Sequence, residues 1–256
     1  MITIHYVTNL SNAYLLVSHG SRDPRPQVAI EQLADRLRLH LETISSIKLP
    51  ILVGTAQLEL AAQPLHLQIS EFARQCIQIG ISRIVILPLF LIPGVHVMED
   101  IPAEIVLATE KIGDFVKLEV APFLGLNPDF ADLFGANRSS LPSQSIILAH
   151  GSRKTGGNAI VEQLANRLDL TAAYWSVAPN LADTVAKLVA TGATEIGILP
   201  YFLFAGGITD AIEKLVLELR ARYPQVQLRL GEPIGNSPEL VGTIGNILGS
   251  IDNTDL

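Results

Sequence analysis

Cysteine occurs once in this chain, at Cys76. A disulfide within the chain and a multi-cysteine metal site are both excluded by that count. Cys76 shares an apolar stripe at helical spacing with Leu65, Ile69, Phe72 and Ala73, so core packing is its expected role. A positive charge excess is also missing. The net charge is −7 and the isoelectric point is near 5.3, which argues against broad binding to nucleic acid or anionic membrane. Long hydrophobic runs are missing too, despite a mean hydropathy of +0.36. The charge-free run from Ile84 to Met98 has only half to three-quarters of the ~20 residues a spanning helix needs, and Pro88 and Pro93 interrupt it. No signal-peptide pattern is read in MITIHYVTNLSN, and a cytoplasmic protein with no membrane partner is expected. The dinucleotide pattern G-x-G-x-x-G, the P-loop and the nucleophile elbow G-x-S-x-G do not occur, so no nucleotide cofactor is expected.

An internal repeat is present instead. Leu15-Leu16-Val17-Ser18-His19-Gly20-Ser21-Arg22 returns as Ile147-Leu148-Ala149-His150-Gly151-Ser152-Arg153. Arg83 to Leu91 (RIVILPLFL) returns as Glu195 to Leu203 (EIGILPYFL), and Ala121-Pro122-Phe123-Leu124-Gly125 as Glu232-Pro233-Ile234-Gly235. Between the copies lies the polar stretch NRSSLPSQ. It divides the chain into a first lobe at 1–137, a linker at 138–143 and a second lobe at 144–256.

In each copy, apolar runs alternate with amphipathic segments. Strands are expected near 13–18, 49–56, 83–88 and 115–121, then near 145–149, 172–177, 195–199 and 226–231. The helix after the first strand is expected to bury Val28, Leu33, Ala34, Leu37 and Leu41. Such alternation gives an α/β fold: two Rossmann-like lobes, each a four-stranded parallel sheet flanked by helices. Short apolar runs are what buried parallel strands look like, and they account for the high hydropathy.

Ligands of open parallel sheets bind at the carboxyl ends of the strands. Three groups fall there in the first copy: His19 after strand one, Glu59 after strand two, His96 after strand three. If strand one lies between the other two, they converge, because neighbouring strands are only ~4.8 Å apart. Two imidazoles and a carboxylate suit iron(II), cobalt(II) or nickel(II), and three ligands leave coordination positions open, as catalytic sites require. A histidine after a strand is more often an ordinary turn or core residue; the joint placement gives these three their interest. In the second copy His150 is kept, but Ser176 stands for Glu59 and Ile208 for His96. Neither can replace the ligand, so that copy should hold no equivalent site and should wall the cleft. His5, His40 and His66 are read as structural or surface residues. The turns Gly20-Ser21-Arg22 and Gly151-Ser152-Arg153 could hold carboxylates or phosphates.

With LLVSHGSRDPR, the glutamate of QLELAAQPL, ILPLFLIPGVHVMEDIP and the duplicated layout, the chain resembles the class II, ATP-independent chelatases of the sirohydrochlorin cobaltochelatase and ferrochelatase family. The resemblance implies a lyase that inserts Fe2+ or Co2+ into a sirohydrochlorin-type tetrapyrrole in sirohaem or cobalamin biosynthesis. It implies His19, His96 and Glu59 as metal-binding and catalytic residues, and a ring held between the lobes. Short members of the family pair as homodimers, so a fused chain is expected to be a monomer with pseudo-dimeric architecture. Gly20, Ser21 and Arg22 are the expected contacts to ring carboxylates. A non-catalytic tetrapyrrole or metal carrier would use the same residues and differ by giving no acceleration over spontaneous insertion. A phosphate-binding protein would leave Glu59 without a role, since a carboxylate repels the anion.

Overall fold

A computed structural model describes residues 12–44, 51–136, 138 and 141–252. His5 lies outside the described residues, as do residues 139 and 140 of the expected linker.

The first sheet is formed by β1 (Asn12–Ser18), β2 (Leu52–Gln57), β3 (Arg83–Pro88) and β4 (Lys117–Val120), in the order β2-β1-β3-β4 and all parallel. The second repeats this with β5 (Ser145–Ala149), β6 (Thr171–Tyr174), β7 (Glu195–Pro200) and β8 (Gln227–Leu230), in the order β6-β5-β7-β8. The helices between them are α1 (Pro24–Ile44), α2 (Leu65–Gln78), α3 (Ile101–Ile112), α4 (Pro128–Ala136), α5 (Ala159–Arg167), α6 (Leu181–Ala190), α7 (Gly207–Arg222) and α8 (Glu239–Asp252). The expected strand order and duplicated α/β architecture are therefore found. No described helix is long and apolar enough to cross a membrane.

Side chains of a strand alternate between faces, and the two faces of each sheet enter different cores. Ala13, Leu15, Val17, Ile84 and Ile86 pack with α2 and α3. Ile146, Leu148, Ile196 and Ile198 pack with α6 and α7. The opposite faces, with Tyr14, Leu16, Val85 and Leu87 from one sheet and Ile147, Ala149 and Leu199 from the other, meet in one cluster with α1, α4, α5 and α8. The lobes thus share a core. Closing helices cross over: α4 sets Phe130 and Phe134 edge-on to Tyr201 at the end of β7, with centroids 6.2 and 5.0 Å apart, and α8 packs on α1. Tyr201 is buried and donates its hydroxyl to the Leu91 carbonyl of the first lobe at 3.2 Å; burial raises its pKa.

The stripe of α1 needs one correction. Val28 is 49% exposed and Ile30 is buried, so the helix packs through Ile30, Leu33, Ala34, Leu37 and Leu41. Val28 falls in the first turns, over an open hollow beside β2 rather than over the core. Cys76 is buried with the stripe expected for it, and burial lifts its thiol pKa to about 11.

Candidate metal centre

The central position of β1 puts the loops after β1, β2 and β3 side by side. Pairing of β1 with β2 continues past the strands, because Leu58 and Glu59 donate their amides to the Ser18 and His19 carbonyls, each at 2.9 Å. This fixes Glu59 against His19. Glycine is required at position 20: its φ is +97°, and a Cβ there would lie 2.0 Å from the Glu59 carbonyl oxygen. Leu60, the next residue after Glu59, also has a positive φ of 62°, an unfavourable backbone for a branched side chain.

His96 enters differently. A π-helical turn, His96–Asp100, runs straight into α3. Such a turn is a helix with one inserted residue. The interval from Pro88 to the buried Ile101 is one residue longer than that from Pro200 to the buried Ile212, where α7 runs without a π turn.

The structure brings together His19, Glu59 and His96. Their ligating atoms all lie within 4.8 Å of one another, the one such three-residue group among the described residues. His19 Nε2 is 3.2 Å from His96 Nε2 and 3.8 Å from Glu59 Oε2. The rings meet edge-on, with centroids 4.7 Å apart, and Phe90 lies 6.3 and 6.5 Å from them. About half of the His19 and Glu59 side chains is open to solvent.

Hydrogen bonds decide how the rings present themselves. The Nδ1 of His19 lies 3.2 Å from the Gly20 carbonyl, which can only accept, so Nδ1 carries the hydrogen. The Nδ1 of His96 lies 2.7 Å from Asp100 Oδ2 and donates likewise to the carboxylate. In the neutral rings both Nε2 atoms then present lone pairs, at a separation that is repulsive unless a cation sits between them. With metal–nitrogen bonds of about 2.0–2.1 Å, two imidazoles on one ion have nitrogens roughly 3.0–3.4 Å apart, so the observed spacing suits a shared metal. Asp100 is a residue that the sequence reading missed. Its signal was its place four residues after His96, one turn along a helix.

Of the remaining expected residues, Ser21 accepts the Asp23 amide at 3.0 Å, and Arg22 is exposed. Gly20 and Ser21 line a cavity of about 190 Å³ beside His19, walled on the far side by Leu203 and Phe204 of the second lobe. Arg22 lines a neighbouring hollow with Gln57 and Gln68. At the rim Arg25 binds Asp23 of its own turn and Asp210 of α7, and these bonds hold the Asp23 pKa down at about 2 and lower that of Asp210. His40 faces Gly245 of α8, and His66 pairs with Glu104 at 2.8 Å, so neither joins the group.

The second lobe repeats the frame but keeps only the first of the three ligands, as His150. Ser176 donates its amide to the His150 carbonyl at 2.9 Å, matching Glu59 and His19, and His150 Nδ1 donates to the Gly151 carbonyl at 3.0 Å. Ile208 stands where the first lobe has His96.

The CbiX family profile matches residues 13–139 and again 144–249. The chain belongs to the CbiX family. Among its CbiX-like relatives, the sirohydrochlorin cobaltochelatase of Priestia megaterium is 26% identical over 257 aligned positions, covering 92% of this chain and 77% of that protein. The sirohydrochlorin ferrochelatase of Bacillus subtilis is 22% identical, covering 86% and 84%. Among solved structures, SirB from Bacillus subtilis with Fe3+ superposes with a TM-score of 0.76 at 23% identity, covering 94% of this chain and 95% of that one. That likeness establishes the shared two-lobe fold.

Proposed function

We propose that this CbiX protein is a sirohydrochlorin chelatase, a lyase that inserts a divalent metal into the tetrapyrrole with loss of two pyrrole protons. The observation that carries the reading is the convergence of His19 Nε2, His96 Nε2 and Glu59 on one solvent-open point. The names of its relatives, sirohydrochlorin cobaltochelatase and ferrochelatase, support this choice of ring. The active lobe is residues 1–137, joined through 138–143 to a degenerate lobe at 144–256. The working form is a monomer, since one chain supplies both lobes.

A ring between the lobes presents pyrrole N–H groups to the cluster, while a hydrated metal must shed water to enter. His19 acts as principal metal ligand and base, and His96 as second ligand or proton acceptor; the two roles can be exchanged. Imidazole suits both tasks near neutral pH. A proton taken at His96 Nε2 leaves an imidazolium whose Nδ1–H still rests on Asp100. Glu59 balances the metal charge as the ion passes. Gly20, Ser21 and Arg22 hold ring carboxylates. The substrate metal is Fe2+ or Co2+, toward sirohaem or cobalamin, and the nitrogen–oxygen donor set also admits Ni2+.

The test is anaerobic mixing of protein, sirohydrochlorin and each metal, followed by absorbance against a no-enzyme control. Acceleration is expected with the intact protein, and its loss in folded His19→Ala and His96→Ala. Near wild-type rates in both variants would end the proposal, and binding without acceleration would make the protein a carrier.

A further inference from the structure

Among the ion pairs that join the lobes in the described residues, two lie at the strand ends and are laid out alike. Arg25, at the start of α1 beyond β1, donates from Nη1 and Nη2 to Asp210 Oδ1 and Oδ2 at 3.0 and 2.6 Å. Lys154, in the turn after β5, has Nζ 3.7 Å from Oε1 of Glu99 in the π turn after β3. Each cation lies shortly after the first strand of its lobe, and each carboxylate in the first helical turn after the third strand of the other.

Arg25 is the better formed of the two. Asp23 occupies the side of the guanidinium, taking Nε at 3.0 and 3.1 Å and one hydrogen of Nη2 at 2.5 Å, and so holds its plane from within its own turn. Nη1 and the other hydrogen of Nη2 form the outer edge, which suits a two-point contact, the geometry in which arginine reads carboxylates. Asp210 fills it from the opposite lobe. Both side chains are about half exposed, at 49% and 51%, so the pair is one that water and other anions can exchange. It also stands beside the site: Pro26 and Gln27, the next residues, line the cavity that His19 lines, and a Cβ added at Gly206 of the second lobe would lie 3.4 Å from the Pro26 ring.

We infer that Arg25 is a receptor for a carboxylate of the tetrapyrrole, and that Asp210 is an internal stand-in which the substrate displaces. The inference rests on the chelatase reading above. A ring bearing acidic side chains must enter a cleft whose own groups include Glu59, Glu99, Asp100 and Asp210, in a chain of net charge −7. Removing Asp210 from Arg25 frees a fork of the right shape for a substrate carboxylate while Asp23 keeps the guanidinium in place.

A merely structural clamp and a receptor predict opposite outcomes for its two halves. Metal-free sirohydrochlorin is titrated anaerobically into the full-length protein, and KM and kcat are then measured with cobalt(II). Asp210→Asn is expected to tighten binding and lower KM about three- to tenfold, and Arg25→Gln to weaken binding about tenfold, the range of an exposed to half-buried charged contact. Arg25→Lys, which keeps charge but not the fork, should fall between wild type and Arg25→Gln. Cobalt(II) affinity without the ring should be unchanged in all three, and thermal unfolding checks that each is folded. Weaker or unchanged binding in Asp210→Asn, or unchanged binding in Arg25→Gln, overturns the inference while leaving the chelatase reading in place. Wild-type protein that binds no sirohydrochlorin overturns both.

Discussion

Gly20 and Asp100 act on the ligand cluster from outside it. A side chain at Gly20 must adopt a left-handed backbone, costing about 1–2 kcal/mol, and must also push the Glu59 carbonyl away. Gly20→Ala is therefore expected to lower stability in chemical denaturation and to weaken metal binding together; unchanged values would show that the loops are not held as described. Asp100 fixes which nitrogen of His96 carries hydrogen. Asp100→Ala should reduce cobalt(II) affinity by about 10- to 100-fold in calorimetry while leaving the fold intact. His19, Glu59 and His96 were legible as strand-end residues because each follows an apolar run. Asp100 was not singled out, because beside Glu99 and ahead of a helix it looks like any first-turn acid.

The loop with Glu59 and the helix behind His96 are tied together by a pair of residues that read as unremarkable in sequence. Glu104 of α3 accepts both the backbone amide and the Nδ1–H of His66, at 2.7 and 2.8 Å, in the first turn of α2. Two residues on, Gln68 bonds the backbone of Gln57 and Gln63 on either side of Glu59. Glu104→Ala removes the acceptor at the start of α2 and should cost about 1 kcal/mol, as lost helix caps do, read as a lowered unfolding temperature. An unchanged unfolding temperature would show that the contact holds nothing in place.

Elements themselves were readable where burial is two-sided. The runs at β1, β3, β5 and β7 fall within a residue of expectation because both faces of a central strand are apolar. Edges were less so. The fourth strand was expected over 115–121 and spans Lys117–Val120, since the residues just before it belong to a 3-10 turn and Val116. The sixth was expected over 172–177 and ends at Tyr174: Trp175 and Ser176 bond the Ala149 and His150 carbonyls as a loop, not as a strand. The π turn shows in sequence only when the two repeats are laid side by side, as the one extra residue between Pro88 and the buried Ile101 compared with Pro200 and the buried Ile212.

The molecule as a whole depends on contacts that no local pattern announces. Repetition revealed two lobes, but not that their inner faces merge, nor that Arg25 meets Asp210. The depressed pKa values of Asp23 and Asp210 give this rim a pH signature. A carboxyl whose folded value lies below its unfolded value of about 3.9 adds stability above that pH and loses it as pH falls toward the folded value. The difference in unfolding temperature between wild type and Arg25→Gln should thus be present above about pH 4 and disappear toward about pH 2. A difference that is constant down to pH 2 would mean that the rim carboxylates do not contribute.

Crossed closing helices and a common core make the covalent connection between the repeats dispensable once folding is done. A protease nick in the 138–143 segment should leave a single particle that separates only in denaturant, and two co-expressed fragments should reassemble. Made alone, the front half would bare an oily flank, and the partner best shaped to cover it is its own twin. Such a pair would carry two ligand trios where the fused chain has one.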